Sequence, residues 1–217
     1  MNVRIELTYK TPKGIESDFY SSEMSADEAM SLVEDFERTG RVKNIRFIDS
    51  FETSWTLKEL KKYRAEIQTE PHHIVVYFDG GFDRKTKTSG LGCTIYYKQN
   101  NKSFRVRKNA LLKELQTNNE AEYAALYLAI QELEQLHVRD LPVTFIGDSQ
   151  VVINQLKGEW PCLEEELAKW IDWIERRLRQ SGIYPNFELV SRKGNQEADK
   201  LASQALKEIE ITSTIQT

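Results

Sequence analysis

The 217-residue sequence predicts an α/β fold with a mixed sheet flanked by helices, preceded by a small α+β N-terminal domain. Three observations carry this expectation. "HIVVYFDGG", "GLGCTIYYKQ" and "KSFRVRKNA" follow one another as apolar, β-branched and aromatic runs joined by Gly-rich or Asn/Lys turns, the pattern of an antiparallel meander. Beyond them helix and strand patterns alternate, which makes the sheet mixed. Ahead of them, the polar stretch "QTEPHH" sets off a first segment that has strand and helix signals of its own.

The first domain is expected over residues 1–66, a linker over 67–72 and the larger domain over 73–217. In the first, alternating "VRIELTY" and "IESDFYSS" flank the turn "KTPKG" as a hairpin. "SADEAMSLVEDFERTG" reads as an amphipathic helix, with Ser25 ahead of Asp27 and Glu28 at its start and Gly40 at its end. "VKNIRFIDSF" reads as a strand and "TLKELKKYRAEI" as a second helix. In the larger domain, after the meander, "TNNEAEYAALYLAIQELEQLH" is a helix, "LPVTFIGDSQ" a short buried strand and "SQVVINQLKG" a short helix. "CLEEELAKWIDWIERRLRQSG" is a helix closed by Gly182, "NFELVSR" a strand and "NQEADKLASQALKEI" the final helix. Trp170 and Trp173 fall on a helix as packing residues.

Composition narrows the function classes. No stretch approaches the roughly 18 apolar residues of a membrane span, and "MNVRIELTYK" lacks the pattern of a signal peptide. A cytoplasmic protein without a membrane partner is expected. Cys93 and Cys162 lie far apart with no metal-ligand spacing, so neither a disulfide framework nor a zinc site is indicated. The net charge of −4 argues against a general nucleic-acid footprint. Locally the balance reverses, because residues 84–113 hold nine Lys and Arg and no Asp or Glu. Such a stretch attracts phosphate backbones, and Arg105 and Arg107 are its expected contacts. In the first domain acids outnumber bases, which points to a protein partner rather than to phosphate. Its Phe47, Phe51 and Trp55 are read as core packing.

The sharpest signal is a set of carboxylates in comparable places. In "VVYFDGGFD", Asp79 is expected to end a buried strand, and in "VTFIGDSQ" Asp148 does the same. In "TNNEAEY", Thr117 and Glu120 have capping-box spacing, whereas Glu122 heads the stripe of Leu126, Ala129 and Leu133 that should face the sheet. In "NQEADKLASQAL", Asp199 shares a stripe with Ala202 and Leu206. One acid after a strand is turn chemistry, but four converging acids repel one another and call for a cation or raised pKa values. Their all-oxygen donor set suits Mg²⁺ or Mn²⁺.

"DGG", "TNNEAEY", "GDSQ" and "NQEAD", in that order and on those elements, closely resemble type 1 ribonuclease H (ribonuclease HI) over roughly residues 73–207. The resemblance implies a five-stranded mixed sheet flanked by helices and an endonuclease that hydrolyses the RNA strand of RNA–DNA hybrids. It also implies that Asp79, Glu122, Asp148 and Asp199 are the catalytic, metal-binding carboxylates. Two Mg²⁺ or Mn²⁺ ions per site, about 4 Å apart when substrate is bound, would activate water at the scissile phosphate and stabilise the leaving 3′ oxygen. Gly80, Asn118, Asn119, Gln150 and Arg192 are the implied substrate contacts, the Asn pair and the Gln in the minor groove where 2′-hydroxyls mark RNA.

Two departures from the family pattern stand out. The loop "SRKGNQEAD" has no His ahead of its Asp, so weak His-type pH dependence and slow turnover are expected, with Arg192 or Lys193 as an electrostatic substitute. "LKGEWPCLEEELAKW" is short and acid-rich where some relatives carry a basic protrusion. The alternative reading is a catalytically weak or inactive hybrid- or RNA-binding protein with the same fold. A further one is an exonuclease or integrase-like strand-transfer enzyme, which "TNNEAEY" and "DSQ" disfavour.

Overall fold

Alternation of inward and outward residues builds the first sheet in this computed structural model, which describes residues 1–217 except the side chains of residues 66 and 67. The chain divides into two units, Met1–Ile67 and Gln68–Thr217. In the first, β1 (Asn2–Lys10) pairs antiparallel with β2 (Glu16–Tyr20), with the short β3 (Met24–Ser25) and with β4 (Val42–Asp49), which in turn pairs with β5 (Ser54–Trp55). Val3 and Ile5 of β1 and Phe47 of β4 meet Ala29, Met30 and Val33 of α1 (Ala26–Arg38) and Leu60 of α2 (Leu57–Thr69) in one small core. The start of α1 is fixed by a reciprocal capping box between Ser25 and Glu28.

Much of the stretch expected as linker is regular structure. Helix α2 runs on to Thr69 and the next strand begins at His72. Pro71 explains the stop: its ring disfavours helical backbone at the residue before it.

The second unit is a six-stranded mixed sheet in the order β10-β9-β6-β7-β8-β11. Strands β6 (His72–Asp83), β7 (Thr88–Gln99) and β8 (Lys102–Leu112) form the antiparallel meander, while β9 (Pro142–Gly147) lies parallel to β6 and β10 (Tyr184–Leu189) parallel to β9. Helices α3 (Asn118–Gln135), α4 (Gln150–Leu156) and α5 (Glu165–Gln180) enclose the main core with Val76, Phe78, Cys93, Ile95 and Phe145 of the sheet. Helix α6 (Gln196–Ala205) packs on β7, β6 and β8. Among the described residues no helix is long and apolar enough to cross a membrane.

Two sequence expectations change. The sheet has six strands, not five, because β11 (Thr212–Gln216) adds antiparallel to the outer edge of β8. Its sequence "TSTIQ" has no continuous apolar face, so pairing depends on non-local bonds: buried Asn109 of β8 accepts from Ile211 N and donates to Leu201 O and Ile209 O. Asp79, in turn, does not end its strand. β6 continues against β7 through Asp83↔Thr88, and only its pairing with β9 stops, at Tyr77↔Ile146.

Candidate active site

That stop places the first two acids. Asp79 and Asp148 each follow their member of the Tyr77↔Ile146 pair by two residues, so they emerge together where β9 has ended and β6 keeps only its β7 neighbour. The chain leaves β6 in one direction, to β7 and β8, and returns on its other side as β9 and β10. The carboxyl ends of strands at such a reversal are where α/β sheets bind ligands.

Glu122 arrives from above. Gly80 makes this possible, since a Cβ there would overlap the backbone of Ala121 and Glu122 in the first turn of α3. In return the Gly80 N–H donates to Glu122 Oε2 at 3.2 Å. Carboxylate oxygens of Asp79, Glu122 and Asp148 all lie within 4.8 Å of one another. Glu120, two residues away, is turned back instead: its Oε2 accepts from Gln116 N at 2.8 Å and Thr117 N at 2.9 Å, closing a capping box.

Asp199 stands in the first turn of α6, outside that three-acid group but near enough for its charge to act on Asp79. Helix α6 approaches β7 over Gly92, where a Cβ would collide with the backbone of Ala198 and Ala202. Burial, then the charges of Asp148 and Asp199, push the Asp79 carboxyl up to about 7. Glu122 is pushed well above the usual carboxylate range by burial first and then by Asp79 and Asp148. Arg192 opposes both shifts; it is 86% exposed and its Nε lies 3.9 Å from Asp148 Oδ2.

The substrate-contact candidates surround this cluster. Asn118 opens α3, and its Oδ1 accepts from Phe82 N at 3.3 Å, tying the helix start to β6 beyond Asp79. Asn119 is half-buried beside it, and Gln150 is exposed at the start of α4, next to Asp148 and the N-cap Ser149. Gly80 is buried under α3 and serves as a seat for that helix. Arg105 and Arg107, expected as phosphate contacts, already have a partner within the fold. Both are paired with Glu197 of α6, at 3.1 and 3.3 Å, and Tyr96 OH donates to the same carboxylate at 2.6 Å. Glu197 lies two residues from Asp199, inside a motif read only for its aspartate. Asn195 was overlooked in the same way, although it is buried to 1% exposure and its Nδ2 donates to Phe78 O at 2.8 Å.

Comparison with known proteins agrees with this arrangement. A family model described as reverse transcriptase-like matches residues 77–205. The uncharacterized protein YpeP of Bacillus subtilis is 44% identical over 189 residues, covering 87% of this chain and 83% of that protein. The crystal structure of RNase H1 from the archaeon Halobacterium salinarum superposes with a TM-score of 0.53 at 25% identity, over 62% of this chain and 98% of that one. LC11-RNase H1, isolated from compost and crystallised with an RNA/DNA hybrid, gives 0.55 at 25% identity over 62% of this chain and 97% of that one. The family match spans more than half of the residues, and its boundaries enclose all four acids. The chain belongs to the ribonuclease HI family.

Proposed function

We propose that this protein is a divalent-metal-dependent endoribonuclease that hydrolyses the RNA strand of RNA–DNA hybrids. The observation that carries the reading is the Asp79–Glu122–Asp148 cluster, with oxygens mutually within 4.8 Å and the Asp79 and Glu122 carboxyls pushed up by burial and by the neighbouring acids. A fold that holds carboxylates so close stores repulsion that a hard cation relieves. The donor set is oxygen only and fits Mg²⁺ or Mn²⁺. Asp79, Glu122, Asp148 and Asp199 would hold the ions, two per site with substrate present. Bound there, the ions would supply Lewis-acid activation of water and neutralise charge at the scissile phosphate.

The chain's own residues do the rest. Asn118, Asn119 and Gln150 border the cluster on α3 and α4 and present amide groups able to bond 2′-hydroxyls and base edges. Gly80 keeps the floor of the site free of a side chain. Arg192, exposed and beside Asp148, offers a cation to a phosphate at the rim, where some relatives place a His. Being permanently charged, it orients without moving a proton. The free cysteines Cys93 and Cys162 suit the cytoplasm, where we place the enzyme. The first unit carries an apolar groove lined by Leu7, Tyr9, Phe19, Leu32 and Phe36, consistent with a protein partner there.

The test is incubation with end-labelled RNA–DNA hybrid, matched duplex DNA and matched duplex RNA, with and without Mg²⁺ or Mn²⁺. Cleavage confined to the RNA of the hybrid and abolished by EDTA is the expected result. Hybrid bound but left intact with either ion would favour the inactive hybrid-binding reading, and cleavage of duplex DNA would refute both.

A further inference from the structure

We propose that Asn195 is a positioning residue that sets the distance between Asp79 on the sheet and Asp199 on α6, and so completes the four-acid site. The inference rests on the function proposed above. It starts from a side chain that does not do what its place suggests. Asn195 is the N-cap of α6, where Asn normally accepts a bond from an N–H of the first turn, yet it makes no side-chain cap bond. It reaches instead across the fold, and Nδ2 donates to Phe78 O at 2.8 Å. Its Oδ1 is buried without a partner among the described residues. Giving up a local cap and leaving an acceptor unpaired both cost stability, so what this orientation secures is position.

The positions it secures are those of two acids. Phe78 precedes Asp79 directly, and the Asn195 carbonyl accepts the Asp199 N–H at 3.1 Å. One asparagine therefore links the strand residue before one carboxylate to the backbone of the other, through one side-chain and one main-chain hydrogen bond. The link also lies just past Tyr77↔Ile146, where β6 has lost β9 as a neighbour. Asn109 of β8 supplies a contrast on the same helix: equally buried, it holds Leu201 O within α6 and Ile209 O just past its end, away from the acids.

The test is calorimetric titration of Mn²⁺ into the full-length protein. Asn195→Ala should weaken Mn²⁺ binding about tenfold or more, the scale of outer-sphere metal-site changes. It should also lower kcat on hybrid with KM nearly unchanged. In an Asp199→Asn background the same substitution should weaken Mn²⁺ binding by less than about twofold, because the link then has no carboxylate left to place. Asn109→Ala should lower the melting temperature without moving Mn²⁺ affinity. Should Asn195→Ala fail to fold, Asn195→Ser keeps an equally good N-cap while losing the reach to β6, and the same losses are expected of it. Wild-type Mn²⁺ affinity in both Asn195 variants, or an undiminished loss in the Asp199→Asn background, overturns the inference and leaves the proposed function standing. A wild type that binds no Mn²⁺ overturns both.

Discussion

Asp49 and Asp79 are two buried aspartates of nearly equal exposure, 8% and 7%, at the ends of comparable apolar runs, and their surroundings are opposite. Asp49 Oδ1 accepts from Phe51 N at 2.9 Å and Thr53 N at 2.8 Å, while Oδ2 accepts from Trp55 Nε1 at 2.9 Å. Those donors, the Trp55 bond foremost, hold its carboxyl below the usual carboxylate range. Asp79 meets acids instead: Asp148, Asp199 and Glu122. Burial alone therefore does not mark a site. A buried acid supplied with N–H donors is a turn, and one supplied with other acids has the surroundings that the proposed cation site calls for.

The largest expected effect tests that distinction directly. Asp79→Asn keeps the side-chain shape, removes a charge of the proposed metal site and should lower hybrid cleavage by several orders of magnitude while hybrid binding survives in a gel-shift assay. Asp49→Asn should cleave at nearly the wild-type rate per folded molecule. Equal losses from both would break the comparison.

Stability against pH separates the two residues again. An unfolded aspartate ionises near pH 4 and folded Asp79 near 7, so between those values the native chain holds a proton that the unfolded chain has released. Without divalent ions, Asp79 therefore lowers stability as pH rises from about 4 to 7, by at most about 4 kcal/mol at about 1.4 kcal/mol per unit. Thermal melts in EDTA should show Asp79→Asn more stable than wild type at pH 8 and equal to it at pH 4, with added Mg²⁺ or Mn²⁺ erasing the pH 8 difference. Asp49 has a lowered folded pKa, so it stabilises above the unfolded value and loses that contribution in acid. Asp49→Asn should accordingly melt lower at pH 7, with a smaller deficit at pH 3. A smaller contrast is expected on one helix: Glu122→Gln should abolish cleavage, and Glu120→Gln should keep it and lose roughly 1 kcal/mol with its cap, read by urea titration.

What was legible in the sequence follows the range of the interactions involved. Thr117, Glu120 and Glu122 could be told apart because capping and helical stripes are local patterns, and helix α3 forms as those patterns indicate. The meander and the alternation after it were legible because they repeat at short range. β11 was not, since "TSTIQ" becomes a strand only by pairing with β8 about a hundred residues earlier through the Asn109 bonds. The continuation of β6 past Asp79 was hidden in the same way, because whether a strand ends depends on which neighbour leaves first. Asn195 and Glu197 were hidden by their own motif, in which four of the five residues are polar and only the fold reveals that these two reach β6 and β8.

The smallest expected effect concerns the basic stretch of nine Lys and Arg, of which the sequence pointed to Arg105 and Arg107 as phosphate contacts. In the structure Arg84 and Lys85 are exposed on the turn between β6 and β7, whereas Arg105 and Arg107 are mostly covered and share Glu197. A cation already paired with a carboxylate must give up that partner before it can displace counterions from a phosphate. Replacing both Arg84 and Lys85 by Ala should therefore flatten the salt dependence of hybrid binding by up to about 0.9 in slope per lost contact. Replacing both Arg105 and Arg107 should change it by less than one such contact in total. Glu197→Gln should steepen the slope instead, because it releases both arginines. The measurement is hybrid affinity over a series of KCl concentrations in EDTA. A loss of two full contacts from Arg105 and Arg107 would mean that hybrid binding pulls them off Glu197, and they would then grip the substrate as the sequence suggests.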